Sequence, residues 1–150
     1  MSYRGSFAEL VVTGAMVQPS EVSSRLGVTP TRAFSPGAAV GSRAGRHIRT
    51  RGVWAVTFPI GESVEDTVQE ILGGFESRAS DLNLIRHHMK ATISFAIWWD
   101  PPRGYGGFSV TAGSIARMCA LVDRLDFYYP GSPVESGGPS ESDPSLDEPI

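Results

Sequence analysis

The chain has one cysteine. Cys119 cannot close an internal disulfide, so the fold rests on packing alone, and a reducing compartment is expected. Lysine is nearly missing as well, Lys90 standing against twelve arginines. No run approaches the roughly 20 apolar residues of a membrane span. The opening M-S-Y-R-G-S-F-A-E-L-V-V has no apolar core or cleavage site of a secretory signal. A soluble cytoplasmic protein without membrane association is therefore expected. Basic charge is absent from the last stretch, where Glu135, Glu141, Asp143, Asp147 and Glu148 follow Pro130 with no Lys or Arg. Those five leave 13 basic against 11 acidic residues in 1–129, a near-neutral body without the strong field of a polynucleotide binder.

Motifs for metal, phosphate or nucleophilic chemistry are missing too. His87 and His88 are adjacent, so they diverge on either a helix or a strand, and His47 has no partner at chelating spacing. Gly104-Tyr105-Gly106-Gly107 lacks the Lys-Ser/Thr of a phosphate loop and departs from the dinucleotide fingerprint. No metal, no cofactor and no catalytic set are expected. Cys119 reads as a small buried apolar residue on a helical stripe with Ile115, Met118 and Val122.

What is present is a clear alternation of strands and helices. Lys90 to Trp99 is the longest clean period-two run, with Ala91, Ile93, Phe95, Ile97 and Trp99 on one side and Thr92, Ser94, Ala96 and Trp98 on the other. It reads as the central strand of a sheet. Phe7–Thr13 and Val53–Phe58 alternate similarly, the latter presenting Trp54, Val56 and Phe58 on one face. Leu125, Phe127 and Tyr129 mark a last strand, and Phe108 to Val110 a short one.

Between them lie helix signals. Pro19 and Glu21 open a short helix that Gly27 closes, with Val22 and Leu26 on one face. Ser63 caps a second, in which Val64, Val68, Ile71, Leu72 and Phe75 form a stripe. Gly73-Gly74 marks where that helix ends or bends, and Leu82, Leu84 and Ile85 form a further helical piece or packed loop. Thr111 caps a third helix. Arg32 to Arg51 reads as a long glycine- and arginine-rich loop, and 130–150 as a disordered acidic tail. The sum is one α+β domain over 1–129: a two-layer sandwich of four to five strands under three helices, built from strand–helix–strand units that hint at duplication.

Several landmarks together resemble a widespread bacterial family known only as domain-of-unknown-function family 4279. They are the P-S-E-V-S-S-R-L-G-V-T-P-T-R-A-F of Pro19 to Phe34, Trp54 on its strand, the helix from Ser63, and the L-D-F-Y-Y of Leu125 to Tyr129. The resemblance spans about residues 7–129 and implies a compact α+β domain with no assigned activity. Members of that family commonly carry an acid beside the glycine after the L-G-V-T-P-T turn; here Gly37 is followed by Ala38.

The expected function is a small non-catalytic interaction or regulatory domain, of inhibitor or immunity type, that binds another protein. Trp98, Arg103, Tyr105 and Phe108 are the candidate contacts, because Trp, Tyr and Arg supply most interface energy. The alternatives are a hydrolase assembled from residues such as His47, His87 and Asp100, or nucleic-acid binding through Arg43, Arg46, Arg49 and Arg51.

Overall fold

A computed structural model describes residues 5–37, 39–40, 47–48 and 50–129. Arg43, Arg46, Arg49 and the acidic tail lie outside the described residues. The strands are β1 (Phe7–Gly14), β2 (Arg32–Phe34), β3 (Ala39–Val40), β4 (His47–Ile48), β5 (Gly52–Pro59), β6 (Thr92–Trp98) and β7 (Arg124–Tyr128). The helices are α1 (Pro19–Leu26), α2 (Val64–Phe75), α3 (Ala79–His88) and α4 (Ala112–Leu121). A 3-10 turn at Glu76–Arg78 joins α2 to α3.

Five strands form one mixed sheet in the order β2-β5-β1-β6-β7, and β3 and β4 make a separate two-stranded ribbon. β1 runs antiparallel to both β5 and β6, β2 is antiparallel to β5, and β7 is parallel to β6. The segment β1-α1-β2-β5-α2/α3-β6 thus follows the split βαβ, ferredoxin-like path. The unit α4-β7 is added beyond it, so that β6-α4-β7 is a parallel crossover. The sheet is open and the layers are two, an α+β sandwich.

Lys90–Trp99 does supply an interior strand, paired on both sides, but the middle of the sheet belongs to β1. The alternation seen in the sequence fixes which face is buried. Three rows cross the helix-covered side: Ala8 with Phe58 and Ile97, Leu10 with Val56 and Phe95, Val12 with Trp54 and Ile93. Val22 and Leu26 of α1, Val64, Val68, Ile71, Leu72 and Phe75 of α2, Leu82 and Ile85 of α3, and Met118 and Leu121 of α4 close over them. Trp54 is fully buried and donates its indole N–H to Ser23 Oγ at 3.0 Å, which keys α1 onto β5.

Helix ends follow the expected chemistry. Gly27 closes α1 with φ +69°, and its N–H reaches the Ser23 carbonyl. Ser63 Oγ accepts from Asp66 N, and Thr111 Oγ1 accepts from Ser114 N. The glycine pair Gly73-Gly74 does not stop α2; it lies on the exposed side, and the bend comes after Phe75.

Three expectations need correction. Arg32–Phe34 is not loop but an edge strand, and the 108–110 segment is not a strand. Cys119 is exposed rather than buried, because α4 turns Ser114, Met118 and Leu121 inward. Ser114 is drawn in by Glu65, whose carboxylate accepts its hydroxyl at 2.7 Å; Cys119, about 100° round the helix from Met118, then faces water.

That same carboxylate joins α2 to the start of α4. Glu65 accepts the backbone N–H of Thr111 at 2.8 Å, together with Ser114 and Gln69. The Thr111 N–H above all, then Gln69 and Ser114, pull its pKa from the ordinary 4.5 down to about 2. A folded-state value below the unfolded one stabilises the fold above the unfolded pKa and ceases to do so as pH falls toward the folded one. The difference in urea midpoint between wild type and Glu65→Gln is therefore expected to be constant near neutrality. It should shrink from about pH 4.5 and vanish near pH 2. A difference independent of pH over that range would remove the carboxylate from this role.

Candidate functional site

All the helices lie on one side of the sheet, and among the described residues no helix covers the other. The strand register maps that open face. One row carries Phe7, Trp98 and Tyr128; the next Thr57, Glu9, Ala96 and Asp126; the next Arg32, Ala55, Val11, Ser94 and Arg124; a fourth Phe34, Val53, Thr13 and Thr92. The middle positions are small, so the face forms a groove of about 250 Å³, floored by Val11, Thr13, Thr92, Ser94 and Ala96. Arg32 and Arg51 stand to one side of that floor, and Arg124, Asp126 and Tyr128 on β7 to the other.

Glu9 is the least expected residue there. It is only 5% exposed, in the middle of the central strand. Such a carboxylate needs its lone pairs filled, since an unpaired buried charge costs several kcal/mol. Arg32 supplies Nε and Nη2, each at 3.2 Å, and Thr57 donates its hydroxyl at 3.1 Å. Arg32 is itself half-exposed, so this ion pair opens onto the groove. Arg124 pairs with Asp126 two residues on, at 3.1 Å. Arg51 is exposed and has no ion pair among the described residues.

At one end the aromatic row forms a ladder. Phe7 and Trp98 stack with centroids 5.5 Å apart, Trp98 and Tyr128 at 4.2 Å, with interplanar angles of 17° and 22°. Contacts of this kind contribute about 0.5–1.5 kcal/mol each beyond the area they bury. The Trp98 indole N–H is sealed from solvent and meets no acceptor among the described residues.

The residues singled out from sequence are divided by the fold. Trp98 is in the ladder on the open face, and Arg51 lines the groove. Phe108 lies against the opposite side, packed on Trp99 at 5.3 Å and near Phe127 at 6.2 Å. Arg103 and Tyr105 are exposed on the 100–107 loop, Tyr105 by 69%. That loop is tied down by Ser6 Oγ accepting from Asp100 N at 2.7 Å and by Trp99 Nε1 donating to the Gly106 carbonyl at 2.9 Å. Among the described residues the Trp98 ring stacks on Phe7 and Tyr128, not on Tyr105.

His87 is exposed near the end of α3, which leads into the start of β6, whereas Asp100 follows the end of β6. The strand between them spans about 20 Å, so they do not share a site. Among the described residues, the groove lining holds no histidine, lysine or cysteine. Its one buried carboxylate is occupied by Arg32 and Thr57. What the groove offers is shape, aromatic surface and paired charge.

Sequence reading passed over Glu9, Arg32, Asp126 and Tyr128. A single acid in the middle of the apolar run A-E-L-V-V was the available signal, since such a position demands a partner.

Fold and face together describe an α+β domain with a split βαβ core and one bare sheet surface. The chain belongs to the family Domain of unknown function (DUF4279), whose model matches residues 2–130. No curated protein and no solved structure matches it significantly. Among the described residues, no helix is long and apolar enough to cross a membrane.

Proposed function

We propose that this chain is a small non-catalytic interaction domain of a bacterial cytoplasm that holds a protein partner against the open face of its sheet. The observation that carries the reading is the groove beside Glu9–Arg32, bounded by a stacked aromatic row and left bare by every helix. Aromatic and arginine side chains beside small floor residues match the composition of interface hot spots. Arg51, without an ion pair among the described residues, favours a partner segment bearing a carboxylate. Stacking of nucleobases is a poorer fit, because the centre of the face carries Glu9, Val11 and Ala55, and the aromatic rings are already stacked on one another.

The division of Trp98 from Tyr105 makes the test discriminating. Peptides selected on the full chain from a displayed random library are expected to lose about tenfold in affinity to the exposed-rim variant Arg51→Glu and to Trp98→Ala. Tyr105→Ala should bind as wild type, and Arg51→Glu should keep the wild-type thermal melt. Peptides that respond to Tyr105→Ala and ignore Arg51→Glu would move the site to the 100–107 loop and overturn the reading.

A further inference from the structure

Among the described residues, the edge of the sheet next to this groove is unprotected. β7 pairs only with β6, so its outer side presents unpaired backbone groups among the described residues. Natural sheets shield such edges with lysine, proline, bulges or very short strands. β2, the opposite edge, has only three residues, but β7 has five and none of these devices. Phe127, Tyr128 and Tyr129 are exposed by 54%, 40% and 54%, three consecutive members of the six large apolar residues exposed among the described residues.

We propose that two copies of this chain join along β7, antiparallel about a twofold axis normal to the sheet, into one continuous ten-stranded sheet. A twofold contact of this kind presents the same patch from both copies, as closed dimers do. Charge selects both the occupant and the register. With the open faces on the same side, Arg124, Asp126 and Tyr128 can meet only one another or their even-numbered neighbours. Pairing centred on Asp126 sets two carboxylates directly opposite, which is unfavourable. Pairing centred on Leu125 sets each Arg124 opposite the other copy's Asp126, so the pair already present on each strand closes into an alternating cluster of four charges.

The backbone agrees with that register. Within β7, the Tyr128 carbonyl accepts the Trp99 N–H at 2.9 Å, so Tyr128 faces β6. At alternate positions Asp126 and Arg124 face β6 too, while Leu125 and Phe127 turn their backbone groups outward to the free edge. The two Leu125 residues then form a hydrogen-bonded pair across the axis, and each Arg124 meets the other copy's Asp126 in a non-hydrogen-bonded pair, where side chains lie closer. The two grooves would lie side by side on one surface, whether or not they take a partner.

Sedimentation of the full chain across micromolar to near-millimolar concentrations tests this. A reversible dimer is expected for the wild type. Arg124→Asp alone or Asp126→Arg alone should weaken it about a hundredfold, because each sets like charges opposite across the axis. The exchanged double variant Arg124→Asp/Asp126→Arg should restore it. A second measurement covers loss of folding in the charge variants: Leu125→Cys in a Cys119→Ser background should form an interchain disulfide on mild oxidation, whereas Tyr105→Cys in that background should not. A wild type that stays monomeric overturns the proposal. So does a dimer indifferent to the single charge changes, or an exchanged variant no better than either parent. A dimer seen only after removal of 130–150 would assign the edge to the acidic tail and overturn it as well.

Discussion

Gly52→Ala is expected to lower the melting temperature by about 10 °C or more, the equivalent of about 3 kcal/mol for a domain of this size. Gly52 begins β5 opposite Gly14 of β1. A methyl group on its Cα would sit 2.0 Å from the carbonyl oxygen of Val17 and 2.9 Å from its carbonyl carbon. Both are backbone atoms, so no rotamer change relieves the overlap. Val17 is itself fully buried, in the turn that leads from β1 into α1. The turn or the start of β5 must therefore move, and the last rungs of the central ladder move with it. Thermal melts by circular dichroism would check this; a variant within about 2 °C of wild type would show that the Val17 turn yields freely.

Trp54→Ala is expected to cost about 3–5 kcal/mol, enough to leave a domain of ordinary stability largely unfolded at 37 °C. Among the described residues, Trp54 is the largest of the fully buried side chains, and its indole N–H reaches from the sheet to α1. Truncation removes its packing and strands the Ser23 hydroxyl together. Trp54→Phe separates the two effects: most of the volume stays and the bond is lost, so a loss of about 1–2 kcal/mol is expected. The phenylalanine variant should melt well above the alanine one in urea titrations. If the two were equally unstable, the Ser23 bond would outweigh the packing.

How much of this was legible in the sequence depended on the range of the interaction that decides each feature. β5 and β6 were readable with their correct faces, because a strand covered on one side writes its burial into every second residue. The caps at Gly27, Ser63 and Thr111 were readable because a cap is settled within four residues. β2 was not. Arg32–Phe34 is held at an edge by backbone bonds to β5, and three residues show no period. Cys119 was misplaced because the rotation of α4 is set by Glu65, which lies 49 residues before Ser114.

The bare face was hidden for the same reason. Glu9 meets Arg32 and Thr57 at separations of 23 and 48 residues, and the aromatic row brings Phe7 to Trp98 across most of the chain. Trp98 was marked as a contact residue, but local alternation could not tell that its ring would stack between Phe7 and Tyr128. Only the order of the strands decides which solvent-facing positions become neighbours.

That order also carries a consequence for how the molecule is made. The strand at the middle of the platform is the first of the five to be synthesised, and its two neighbours begin about 45 and 85 residues after it begins. Until Gly52–Pro59 has left the ribosome, Phe7–Gly14 has nothing to hydrogen-bond with, and its second side stays vacant until Thr92–Trp98 arrives. Such distant pairings must overcome loop-closure entropy before they return any stability. The buried acid Glu9 keeps that waiting segment from being uniformly greasy, a gatekeeper against sticking to other nascent chains before its arginine and threonine arrive.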